Sequence, residues 1–181
     1  MHPLGFGVRA VAVRALAACA FAGLLLAGSA ALAQVPANCD EVRLEDPPRM
    51  AFECAGGLLI EVEAAAEMGF VAPGAGEPVT GLELRGGAAR IDVEPAGRGL
   101  QIRTPHAIAA VRGTQYFVDA GAETTSVFVV RGEVEVRKVE GSEASVLLRD
   151  GDGVDVTLDG ELVVKRWRPE RVQALLARFG R

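Results

Sequence analysis

From Ile60 to Val164 apolar side chains recur at alternate positions, and breaks of glycine, proline or aspartate interrupt them every 6 to 12 residues. Successive side chains of a strand point to opposite faces, so a period of two describes strands half buried on a sheet. Ile60, Val62, Ala64, Ala66, Met68 and Phe70 share one parity, with Glu61, Glu63 and Glu67 on the other, which reads as a strand broken midway. Leu82 and Leu84 precede a glycine turn at Gly86-Gly87. Ala89, Ile91 and Val93 alternate with Arg90, Asp92 and Glu94 before the turn cluster Pro95-Ala96-Gly97-Arg98-Gly99. The strand from Leu100 ends at Thr104-Pro105, and Tyr116 and Val118 mark another. The unbroken apolar run 127–130 fits a strand covered on both faces. Val134 and Val136, then 146–148, 154–158 and 162–164, complete the series.

This spacing predicts an all-β fold of about ten short strands. Glycine supplies 22 of the 181 residues, and turns this dense favour a short β-solenoid-like stack, with a β-sandwich as the alternative. A stack needs covered ends. The segment 34–80 and the tail 165–181 are the expected caps, with the β domain proper at 80–164.

The tail changes period. Arg168-Pro169 reads as a helix start, since proline suits the first turn. Val172, Leu175, Leu176 and Phe179 fall at i, i+3, i+4 and i+7, one apolar helical face. The tail is basic, at +5, whereas residues 34–164 carry −12. Lys165, Arg166, Trp167, Arg168 and Arg171 are the candidate partner surface. The tail is expected either to pack on the acidic body or to meet a partner, including peripheral contact with an anionic membrane.

At the other end, Arg9 and Arg14 are the only charges before Asp40, and an apolar run, 16–27, follows them. Ala31-Leu32-Ala33 supplies a small-x-small cleavage signal, so residues 1–33 read as a secretory signal peptide cut before Gln34. The run is too short for a membrane span, and no transmembrane anchor is expected after processing. Leu16-Ala17-Ala18-Cys19 resembles a lipoprotein box, but most of the apolar core follows the cysteine instead of preceding it. Two cysteines remain, Cys39 and Cys54, and export to an oxidising compartment predicts a disulfide between them.

Chemistry-bearing patterns are sparse. The net charge of −5 argues against a general nucleic-acid binder, which needs a basic surface. His106 stands outside any triad pattern and reads as a turn or surface residue. Residues 150–155, Asp-Gly-Asp-Gly-Val-Asp, fail the calcium-loop test, with Val154 and Asp155 where an oxygen ligand and a glycine belong, and read as a glycine turn. No phosphate loop is present. No catalytic, metal or cofactor site is therefore expected.

The stretch IRTPHAIAAVRGTQYFVD from Ile102, followed by TSVFVVRGEVEVRK, resembles the FecR domain family. The pattern falls on Thr104, Pro105, Arg112, Gly113, Thr114 and Gly132, with Val134 and Val136 closing it, and the likeness covers about 80–158. These residues shape turns: Gly113 and Gly132 permit sharp changes of direction, and Pro105 ends a strand. The resemblance implies a periplasmic, mostly β domain used in protein interaction and signalling. The chain departs from the layout of the family's archetype, a membrane regulator: only about 15 residues precede the apolar segment, too few for a cytoplasmic anti-sigma region, and the C-terminus lacks room for a further transporter-contacting domain, so a stand-alone domain is expected. The expected function is a non-enzymatic interaction or signalling module that binds an envelope protein. A carbohydrate- or cell-wall-binding module is the alternative, which exposed aromatics in a groove would favour.

Overall fold

A computed structural model of the chain describes residues 35–71, 74, 76–141 and 144–181. The expected signal peptide, its cleavage point and Cys19 lie outside these residues. The described residues belong to one compact unit, Leu32–Arg181.

Thirteen strands and one helix occur among the described residues: β1 (Cys39–Leu44), β2 (Arg49–Cys54), β3 (Leu58–Glu63), β4 (Glu67–Val71), β5 (Gly81–Val93), β6 (Leu100–Arg103), β7 (Ala107–Val111), β8 (Gln115–Ala120), β9 (Thr125–Arg131), β10 (Val134–Lys138), β11 (Ser145–Leu148), β12 (Asp152–Val156), β13 (Lys165–Arg166) and α1 (Pro169–Ala177). The all-β class with a terminal helix is as the alternation predicts, and the 60–70 strand breaks midway into β3 and β4.

The strands form one sheet that curls into two leaves sharing β5. The first leaf runs β1-β2-β3-β5-β8-β9-β12-β13, and the second is built from β4, β5, β6, β7, β10 and β11. Coils stacked as a solenoid pair in parallel. Here β5 and β6 run parallel and the other ladders are antiparallel hairpins and returns. One apolar cluster fills the space between the leaves, taking Ile60, Ile91, Val118 and Val127 from the first and Leu84, Ile102, Val136 and Leu148 from the second.

Gly86-Gly87 does not make the expected turn. β5 runs through it for 13 residues, and the glycines sit where the strand passes from one leaf to the other. Glu67 pairs Gly86 while Met68 pairs Leu84, so Arg85 is an unopposed bulge residue that bends the strand. Gly87 has φ +81°, and a Cβ there would lie 2.8 Å from Ala66 Cα. The pair is thus a corner inside a strand.

The segment 34–80 is part of the sheet. Cys39 and Cys54 face each other across the β1–β2 ladder and form the expected disulfide.

Helix α1 starts at Pro169 and ends beyond Ala177 at Gly180, whose φ is +68°. It lies on the outer face of the first leaf. Leu175 and Phe179, with Val172 and Leu176 partly buried, pack on Ala88, Phe117 and Phe128. The four positions of the predicted apolar face are the ones in contact. β9 is thereby covered on both sides, with Val127 and Val129 in the main core and Phe128 under the helix.

Candidate functional site

The family-like motif residues fall into two groups at opposite ends of β7. Ahead of it, buried Thr104 accepts the Ala107 N–H at 2.9 Å and lies 2.8 Å from Thr125 Oγ1. His106 is buried beside them instead of being a surface residue, with Nδ1 at 3.2 Å from the same Thr125 oxygen. The turn folds its imidazole inward because Thr125, on the facing strand, offers a polar partner. Pro105 stays exposed at the turn.

After β7, Thr114 is fully buried and ties three segments together. Its hydroxyl donates to Glu133 O at 2.9 Å, and its carbonyl accepts the Val93 N–H at 2.9 Å. Gly132, at φ +96°, lies so close that a Cβ would sit 2.8 Å from Thr114 Oγ1 and 2.9 Å from Gly113 O. Gly113 itself has φ +64° against Pro95. Arg112 points to solvent. Gly113, Thr114 and Gly132 are therefore one structural knot.

The acidic residues of the 150–155 turn are engaged by the protein. Asp150 accepts the Gly132 N–H at 2.7 Å and Asp152 the Arg149 N–H at 3.0 Å. Among the described residues no group of three His, Cys, Asp or Glu could hold a metal ion. Tyr116 is fully buried, and burial pushes its phenol far above its ordinary range.

The tail carries the most distinctive geometry. Its cations divide into a clamp and a cleft. Arg178 binds Glu63 at 2.7 Å and Asp119 at 2.5 Å, and Arg181 reaches Glu61 at 2.7 Å. Glu61 is buried and also receives Arg49 at 3.0 Å and Arg90 at 2.7 Å. These carboxylates alternate with the core residues of their strands, so strand parity puts them on the face that α1 covers. The Arg178 hydrogen bonds hold the Glu63 carboxyl below its usual range.

The cleft lies at the start of the helix and encloses about 560 Å³, lined by Asp155, Lys165, Arg166, Trp167, Arg168, Glu170 and Arg171. The five expected partner-surface residues thus do come together. Trp167 stacks on Phe128, with ring centres 5.1 Å apart and 21° between planes, and the Arg171 guanidinium lies 3.5 Å from its ring centre. A Cβ at Gly153 would collide with the indole. Phe128 and Arg171 thus both pack on the indole, which stays partly exposed. Arg171 grips Asp155 at 2.5 and 2.8 Å and so lowers that carboxyl's pKa, with a smaller contribution from the field of Lys165. Arg166 lies 3.5 Å from Asp152 and bonds the Asp150 carbonyl. Lys165 and Arg168 make no side-chain ion pair or hydrogen bond among the described residues. Asp155 lines the cleft from β12, and Phe128 and Ser126 of β9 contact its Trp167 and Arg171; the sequence pattern marks none of the three as partner-binding.

None of the curated proteins matches the chain. A crystal structure of a candidate anti-sigma factor from Parabacteroides distasonis, at 1.65 Å resolution, is 23% identical, with a TM-score of 0.54 over 78% of this chain and 63% of that one. A second such structure from the same organism, at 2.50 Å, is 22% identical, with a TM-score of 0.48 over 80% and 63%. The chain therefore spans less than two thirds of either, and the first likeness establishes a shared fold. The FecR protein family model matches residues 40–135. That span runs from the disulfide hairpin through both motif turns into β10 and stops short of the basic tail. On this match, over more than half its length, the chain belongs to the FecR protein family.

Proposed function

We propose that this chain is an exported, non-catalytic binding module that engages a partner protein in envelope signalling. The observation that carries this reading is the cleft around Trp167, where Lys165 and Arg168, without an ion pair among the described residues, present positive charge on an otherwise acidic body. Family membership supports a signalling role, as does the fold shared with a candidate anti-sigma factor. Fold alone does not set function, so the local site carries the argument. The motif residues hold turns together, and His106 is buried in one of them, which supports binding over catalysis. The Cys39–Cys54 bridge supports an oxidising compartment, and with the signal-like residues 1–33 it favours the periplasm.

In vivo photo-crosslinking tests this. A benzophenone amino acid at exposed Glu170, on the cleft rim, is expected to give one discrete protein adduct in the envelope fraction. The same probe at exposed Val42 is expected to give none. The exported product should begin at Gln34 by mass spectrometry. A cytoplasmic product that keeps residues 1–33, or equal adducts from both probe sites, would overturn the proposal.

A further inference from the structure

We infer that the Trp167 cleft binds an acidic segment of the partner protein, with its carboxylates on Lys165 and Arg168. This inference rests on the partner-protein reading of the cleft and names the chemistry of that partner.

The cleft's cations are not equivalent. Arg171 is neutralised by Asp155 and fixed over the indole, and Arg166 is held by Asp150 and Asp152. These two build the wall. Lys165, two residues before Trp167, and Arg168, next to it, line the same cleft and form no ion pair among the described residues. Two unpaired cations converging on one concavity form a local site for anionic oxygen atoms, with arginine suited to a bidentate carboxylate contact.

Three observations select a peptide over a membrane. Residues 34–181 carry a net −7, which opposes approach to an extended anionic surface, although salt screens this beyond about 8 Å at physiological ionic strength. The cations line a concavity of about 560 Å³, which fits side chains better than a flat bilayer. Trp167 packs on both Phe128 and Arg171, which holds it back from inserting into lipid. The chain entering the cleft also exposes Val163 and Val164, so a segment mixing acidic with aliphatic residues fits best.

Trp167 is the sole tryptophan and reports on the cleft directly. Titrating the protein with hexaglutamate is expected to give a saturable change in its fluorescence, weakened by salt and absent with hexaglutamine. K165E/R168E is expected to weaken binding about tenfold or more, and K165Q/R168Q by less. K165Q/R168Q should melt like the parent, because neither side chain makes an ion pair or hydrogen bond among the described residues, and K165E/R168E should keep the parent's circular dichroism spectrum. Equal binding by K165E/R168E would overturn the inference. So would tighter binding to phosphatidylglycerol vesicles than to hexaglutamate, an equal response to inorganic phosphate, or self-association that K165E/R168E abolishes. If hexaglutamate fails while the residue-170 adduct persists, the acidic-segment inference falls and the partner-protein reading stands; if both fail, both fall.

Discussion

Gly132 and Thr114 show how the family-like motif works at the scale of single residues. Thr114 is buried with its hydroxyl bonded to Glu133, and Gly132 occupies a left-handed conformation pressed against it. A methyl group at position 132 meets both the unfavourable φ and the backbone oxygen of Gly113. Gly132→Ala is expected to cost more than about 1 kcal/mol. Thr114→Val removes the hydroxyl that bonds the part-buried Glu133 carbonyl, at a cost of about 1 kcal/mol. Urea denaturation checks both. Unchanged midpoints would mean that the knot tolerates loosening and that the motif is maintained for another reason.

At the scale of the element, α1 is attached by two unlike forces. Phe179 and Leu175 bury apolar surface on Phe117 and Phe128, and Phe179→Ala is expected to cost about 3–5 kcal/mol. The arginines add ion pairs to Glu63, Asp119 and Asp155, whose surroundings are partly exposed. Glu63 and Asp155 both have pKa values lowered from their ordinary 4.5 and 3.8, first by hydrogen bonds from Arg178 and Arg171 respectively. A carboxylate whose folded pKa is depressed stabilises fully above its unfolded value, and that contribution is lost as pH falls through the folded value. Helix docking should therefore weaken only in acid, below about pH 4.5, and be flat from there to neutrality. Trp167 fluorescence followed against pH reads this, since the indole sits between Phe128 and Arg171. R178A should remove the Glu63 part of the transition. A transition centred near neutrality would contradict the assignment.

Over the whole molecule, the shared strand β5 joins the two leaves, and the disulfide ties the β1–β2 hairpin at the edge of the first. Cys39 and Cys54 are separated by 15 residues, and closing such a loop stabilises by about 3 kcal/mol in the chain-entropy model. C39S/C54S, or the reduced protein, is expected to unfold at correspondingly lower urea, with its β1–β2 hairpin the first part to lose amide protection. The charge separation also belongs to this scale. A body of −12 and a tail of +5 attract, and most tail cations are drawn onto the body's carboxylates. Lys165 and Arg168 are left outside these pairs among the described residues.

Much of this architecture is written in local pattern. Strand parity is fixed by residue order, because a side chain two positions on returns to the same face; Glu61, Glu63 and Asp119 were bound to lie opposite Ile60, Val62 and Val118. The helical face of Val172, Leu175, Leu176 and Phe179 follows from its spacing, and the disulfide from cysteine count and the expected compartment. Other features depend on what lies across the fold. Gly86-Gly87 reads as a turn in isolation and becomes a corner within β5, because Ala66 and the second leaf stand beside it. His106 reads as a surface residue until Thr125 comes within reach from 19 positions away. The same holds for the tail: its sequence carries six cations without rank. Only the tertiary structure, by setting Asp152, Asp155, Glu63, Asp119 and Glu61 against four of them, leaves Lys165 and Arg168 without an ion pair among the described residues, because an ion pair requires proximity that sequence order does not encode.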